Sequence, residues 1–251
     1  MKMVLLTAFG VGGATLFGTV LGFIFKKISH KFSDIVLSFA AGVMLCAAVT
    51  GLIVPSLELG GSAPLLVTVA GILCGAVFLN LLDRLIPHLH RLAGSDQEEH
   101  PEGSERLNKV LLFVLAIAIH NLPEGIAAGV GFGSGDTAQA FTIAAGIALQ
   151  NIPEGMVIIG PMLAAGISPK KTFLCAAATG VIEVLGTLLG YFAVSISSAV
   201  LPFALAFAGG TMLYVISDEM IPETHHADTR GVTYSLLLGF CLMLAMDYFL
   251  G

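Results

Sequence analysis

Tryptophan is absent from the 251 residues, and Asp, Glu, Lys and Arg together make up only 11% of them, against about 25% in soluble domains. That shortage argues against an ordinary soluble globular protein, and 56% hydrophobic residues with a mean hydropathy of +0.94 point to a bilayer instead. Cysteine is scarce too. Cys46, Cys74, Cys175 and Cys241 each sit in an apolar stretch without paired short spacing, which speaks against a disulfide framework or a thiolate zinc site and leaves them as packing or lipid-facing residues. Without tryptophan, interfacial anchoring falls to Tyr191, Tyr214, Tyr234, Tyr248 and some of the phenylalanines. Lys2 precedes the first apolar run and Lys26 and Lys27 follow it, the wrong flanking order for a cleaved signal peptide, so this run is expected to remain as a helix. The formal net charge of −6 is accompanied by small basic groups at the ends of apolar segments, a pattern that speaks against nucleic-acid binding.

What is present is a succession of long apolar runs. At about 20 residues per bilayer-crossing helix they read as eight spans, roughly 3–25, 34–55, 64–86, 108–130, 138–161, 171–194, 198–217 and 231–250, in one all-α transmembrane domain over residues 1–251. The basic residues test this count. Lys26, Lys27 and Lys31, then Arg84, Arg91, Arg106 and Lys109, then Lys170 and Lys171, then Arg230 all fall in odd-numbered linkers or at the span ends that border them, and the even linkers hold none. Positive-inside logic therefore puts the odd linkers in the cytoplasm and both termini outside, in a multi-pass protein of the cell membrane. The one sizeable loop, about 87–107, is thus cytoplasmic; its His88, His90 and His100 read as members of a solvated stretch, with metal binding as the alternative.

Two spans carry nearly the same hexapeptide, His120-Asn121-Leu122-Pro123-Glu124-Gly125 and Gln150-Asn151-Ile152-Pro153-Glu154-Gly155. Residues four apart share a helix face, so His120 meets Glu124, and Gln150 meets Glu154; Asn121 and Asn151 lie three before each glutamate. Pro123 and Pro153 each remove a backbone donor, freeing the carbonyls of Ile119 and Leu149 to face a cation. His120 lies eleven residues beyond Lys109, about 16 Å along a helix, near the middle of a core about 30 Å thick. Glu183, twelve residues beyond Lys171, reaches a similar depth. Three carboxylates and one imidazole thus share one slab. An unpaired carboxylate costs about 2.5–3.5 kcal/mol at helix centre, and no Lys or Arg lies at comparable depth to offset it. Protons or a bound cation remain as partners, and imidazole, carboxylate and amide oxygens suit zinc, iron, manganese or cadmium rather than copper(I). Polar residues merely bonding across kinked helices are the bland alternative.

HNLPEG and QNIPEG resemble the signature helices of the ZIP family of metal transporters, in its GufA-like branch. The resemblance extends to VIEVLGTLLGY around Glu183, LDRLIPHLHR at the end of the third span and YVISDEMIPETHH at the end of the seventh. It implies an eight-helix ZIP-like bundle with its metal site between Pro-kinked helices four and five. It also implies two ions, the first on His120, Glu124, Gln150 and Glu154, the second sharing Glu124 and Glu154 and adding Asn121, Asn151 and Glu183. Gln150 departs from the histidine of many relatives. The implied activity is movement of zinc, iron, manganese or cadmium into the cytoplasm by alternating access, with a homodimer as the assembly to test for. Asp83, His88, His90, Asp218, Glu219, Glu223, His225 and His226 would line a cytoplasmic exit, or equally be ordinary interfacial polar residues. A passive metal-selective channel could use the same ligands. An intramembrane metalloenzyme fits less well, because neither His-Glu-x-x-His nor a mid-membrane Glu-x-x-His is present, and a metal-sensing receptor lacks a soluble output domain.

Overall fold

The computed structural model describes residues 1–25, 29–85, 104–164, 166–224 and 229–250, and among them the regular structure is helical throughout. Helix α1 spans Lys2–Ile24. The next long element is composite: α2 (His30–Cys46), a π-helical stretch Ala47–Ile53, and α3 (Val54–Leu59). There follow α4 (Pro64–Leu85), α5 (Ser104–Gly131), α6 (Thr137–Val157) and its short continuation α7 (Ile159–Ala164), and α8 (Pro169–Ile196). A second composite joins α9 (Leu201–Val215), a π-helical stretch Ile216–Met220 and α10 (Ile221–Thr224), and α11 (Thr229–Leu250) closes the chain. Among the described residues, seven segments are long and apolar enough to cross a membrane: Lys2–Ile24, Lys31–Leu59, Pro64–Leu82, Thr137–Ala164, Pro169–Ser195, Leu201–Thr224 and Arg230–Leu250. This is a multi-pass, all-helical membrane protein. Helix α5 begins at Ser104, so residues 104–107 are helical rather than loop.

Local chemistry explains where the helices start and change register. The Ser29 hydroxyl accepts from the Phe32 amide at 3.2 Å to open α2, and the Asp136 carboxylate accepts from the amides of Ala138 and Gln139 at 3.0 and 3.1 Å to open α6. Tight turns at Gly61, Gly135 and Gly166 use positive φ, which glycine adopts without a side-chain clash. Each π-helical stretch ends just before a proline, Pro55 or Pro222. Because proline cannot donate to the carbonyl four residues back, the preceding amides of Val54 and Ile221 reach the fifth carbonyl back, at Val49 and Ile216. Pro123 and Pro153, by contrast, lie inside helices that continue past them.

The bundle is assembled from four closely packed pairs: α1 with α6, α5 with α8, α2 with α11, and α4 with α9. The pairing pattern maps onto itself when α1 is exchanged with α8, α2 with α9, α4 with α11 and α5 with α6, an internal two-fold of the pairing that also exchanges the two π–proline elements. Glycines hold the pairs close. Gly125 faces the Glu183 carbonyl, Gly155 the Thr15 carbonyl, Gly42 the Leu236 carbonyl and Gly75 the Phe207 carbonyl. Such small-residue contacts let backbones approach where lipid offers no hydrophobic drive for association. A core of Met44, Leu52, Ile143, Ile147, Leu205, Met212, Ile216 and Met243 fills the space between the pairs. Outward, α4 and α11 expose Leu65, Leu66, Leu73, Val77, Leu237 and Leu238 at helical spacing, as lipid-facing surfaces do.

Candidate metal centre

The polar residues of the two hexapeptides are carried inward by α5 and α6, and α8 supplies Glu183 beside them. Asn121, Gln150, Asn151 and Glu183 are fully enclosed, Glu124 is 1% exposed, and Glu154 and His120 are partly exposed. Two amide groups organise the carboxylates. Gln150 Nε2 donates to Glu124 Oε1 at 2.8 Å, linking α6 to α5. Asn151 Nδ2 donates to Glu183 Oε1 and, at 3.2 Å, to the Val11 carbonyl, linking α6 to α8 and α1. Glu124 lies within Coulombic reach of Glu154 and Glu183, and Glu154 within reach of His120 and Glu219. The sequence-predicted residues on α5, α6 and α8 are therefore one neighbourhood.

Several buried polar atoms in it find no hydrogen-bonding partner among the described residues: Glu124 Oε2, Gln150 Oε1, Asn151 Oδ1, and both side-chain atoms of Asn121. Leaving such groups unpaired in a low-dielectric interior costs about 1–3 kcal/mol each. Four of the five are oxygens, the donor type that divalent cations accept. Among the described residues, no three His, Cys, Asp or Glu side chains stand close enough to make an all-ionisable cage. Any ion here would need the amide oxygens as well as the carboxylates.

Two features escaped the sequence reading. His120 Nε2 lies 2.7 Å from Glu219 Oε1, so Glu219, placed by sequence on an exit path, reaches back to the site. Glu219 lies in the π-helical stretch Ile216–Met220, for which the Pro222 that follows is the local signal. Thr15 of α1 is the other, its hydroxyl donating to Glu183 Oε2 at 3.3 Å; nothing near it in sequence announces that contact. Of the remaining exit residues, Asp218 and Glu223 are exposed on the π stretch and α10. Asp83 belongs to the last turn of α4, its side chain outside the described set, and His88, His90, His225 and His226 lie outside the described residues altogether.

A bundle of membrane-crossing helices wrapped around carboxylates, amides and an imidazole defines a multi-pass membrane protein whose chemistry lies in its interior. A family model described as ZIP zinc transporter matches residues 87–247. Over 208 residues the chain is 43% identical to the zinc transporter GufA of Myxococcus xanthus, covering 80% of each protein. It is 37% identical to the zinc transporter ZIPB of Bordetella bronchiseptica, over 95% of this chain and 78% of that one, and 32% identical to the zinc transporter ZupT of Chlorobaculum parvum, over 95% and 94%. The chain belongs to the ZIP zinc transporter family, a family of transporters and not of enzymes.

Proposed function

We propose that this protein carries divalent transition-metal ions, zinc foremost and iron, manganese and cadmium besides, across the cell membrane toward the cytoplasm. The observation that carries this reading is the set of buried oxygens without a hydrogen-bonding partner among the described residues, Glu124 Oε2, Gln150 Oε1, Asn151 Oδ1 and Asn121 Oδ1, in the neighbourhood of the buried carboxylates. The names of the three relatives described above, each a zinc transporter, support zinc as the first substrate to test. In this reading α5 is an eighth span, both termini are outside, and residues 87–107 face the cytoplasm. One ion takes His120, Glu124, Gln150 and Glu154. A second shares Glu124 and Glu154 and adds Asn121, Asn151 and Glu183, the bridging carboxylates placing negative charge between two cations.

The hydrogen bonds fit reversible loading. Glu124 and Glu183 are each held by a neutral amide rather than by an ammonium or guanidinium. At these two carboxylates an arriving cation therefore displaces a dipole rather than a charged side chain, and on its departure the amide closes back on the carboxylate. Glu219, already 2.7 Å from His120, is the next carboxylate an ion would meet on leaving the imidazole. Asp218, Glu223, Asp83, His88, His90, His225 and His226 continue the exit as weak ligands. Release occurs as the bundle alternates which side of the site is open.

Zinc uptake into proteoliposomes tests the proposal. A carrier gives flux that saturates with external zinc and no single-channel current; conductance events in a planar bilayer would replace it with a channel, and absence of zinc flux would remove the transport reading.

A further inference from the structure

The hydroxyl of Thr15 departs from the habit of its neighbours. Buried threonines in apolar helices usually satisfy themselves on a carbonyl one turn earlier, as Thr19 does on Thr15, Thr187 on Glu183 and Thr224 on Met220. Thr15, 1% exposed, instead donates across to the carboxylate of Glu183 on α8. Its placement is forced from two sides. Gly155 of α6 packs on the Thr15 carbonyl, while Gly12, one turn earlier on α1, packs on the Gly180 carbonyl of α8. The glycines thus press α1 into the crevice between α6 and α8 at the depth of the site.

One face of α1 consequently serves both members of the Asn151–Glu183 pair. The Val11 carbonyl accepts from Asn151 Nδ2, and Thr15, four residues on, donates to Glu183 Oε2. Asn151 Nδ2 occupies Oε1 of the same carboxylate. The two Glu183 oxygens are therefore held by different donors with different freedom. An asparagine amide can rotate to offer its oxygen, and Asn151 Oδ1 is unpartnered. The usual alternative for a threonine hydroxyl, the carbonyl four residues back, is for Thr15 that of Val11, which already accepts from Asn151 Nδ2.

We propose that Thr15 is a positioning residue for metal binding: its hydroxyl anchors Glu183 Oε2 whether or not an ion is present, so that Oε1 alone is exchanged between the Asn151 amide and the metal. The inference rests on Glu183 belonging to the metal site. Thr15 itself touches no ion. A hydrogen bond to a carboxylate at 3.3 Å is a long one, so removing it should weaken apparent zinc affinity about five- to tenfold rather than abolish transport.

The test uses the full chain in proteoliposomes with Thr15→Val, Thr15→Ser, Glu183→Gln and the double variant Thr15→Val/Glu183→Gln. The readouts are zinc KM and Vmax, and the rise in Tm that zinc produces in detergent. Thr15→Val should raise KM five- to tenfold with Vmax within twofold of wild type, and lower the zinc-induced rise in Tm, with a small drop in the zinc-free Tm because Asn151 still donates to Glu183 Oε1. Thr15→Ser should restore both. In the Glu183→Gln background, Thr15→Val should add nothing, because the hydroxyl acts through that carboxylate. A wild-type KM for Thr15→Val beside an impaired Glu183→Gln would overturn the positioning role and leave the site intact. An equal KM increase in both backgrounds would make Thr15 a packing residue only. A Glu183→Gln variant indistinguishable from wild type would remove Glu183 from the site and the inference with it.

Discussion

Gln150 is the residue whose replacement separates the amide-clamp account from simple packing. It is fully enclosed, its Nε2 holds Glu124 Oε1 at 2.8 Å, and its Oε1 has no hydrogen-bonding partner among the described residues. Gln150→Leu keeps the approximate volume and removes both functions. The lost hydrogen bond to a carboxylate is worth about 1.5–3 kcal/mol, and one oxygen ligand goes with it, so zinc KM should rise by at least about tenfold. Glu124 is then left buried without a donor, which should lower the zinc-free Tm as well. Gln150→Glu has the opposite sign for the ion. A second carboxylate oxygen within about 3 Å of Glu124 repels it in the zinc-free protein, yet adds a charged ligand when zinc is present. KM should fall, and Vmax should fall with it because release becomes slower. Both variants would be assayed by zinc uptake over a concentration series, with Tm measured with and without zinc. A Gln150→Leu protein with wild-type KM, or a Gln150→Glu protein that binds zinc no more tightly, would refute the reasoning.

Gly155→Ala would drive a Cβ into the Thr15 carbonyl, and overpacking of this kind costs about 1–3 kcal/mol; Tm in detergent should drop, while Gly10→Ala, with open space beside it, should leave Tm unchanged. Pro222→Ala restores an amide that can reach the Asp218 carbonyl, so the stretch Ile216–Met220 should relax toward α-helix and rotate Glu219 away from His120. Zinc Vmax should then fall to an extent similar to Glu219→Ala, and a wild-type rate for both would show that the His120–Glu219 contact has no part in transport.

Much of the architecture is legible because a bilayer allows few solutions. Apolar runs of sufficient length mark the helices, although the Ser29 cap starts α2 ahead of the apolar run that begins near residue 34. The residues of the paired motif could be placed together because spacings of three and four act within a single helix turn. Glu183 followed from depth alone, since the distance along the helix from Lys171 converts directly into height. What could not be read is what depends on register and on contacts between distant helices. The π-helical stretches at Ala47–Ile53 and Ile216–Met220 carry no composition of their own, and each is signalled only by the proline after it. Prolines at 123 and 153 give no such stretch, so proline by itself does not predict one. The link between His120 and Glu219 spans 99 positions and that between Thr15 and Glu183 spans 168. Both depend on how glycine-lined helix pairs cross, and on which residues a π turn brings round to the interior. The internal two-fold was equally hidden, because outside the hexapeptides it lies in the pairing of helices rather than in repeated residues.

The most direct test of the central claim is zinc uptake by Glu124→Ala and Glu154→Ala, each in proteoliposomes beside wild type, with protein folding checked by the zinc-free Tm. If a divalent cation crosses on these carboxylates, each variant should lose at least about 90% of saturable zinc uptake, since a bridging anion cannot be spared by either ion. Wild-type uptake in both folded variants would contradict the account.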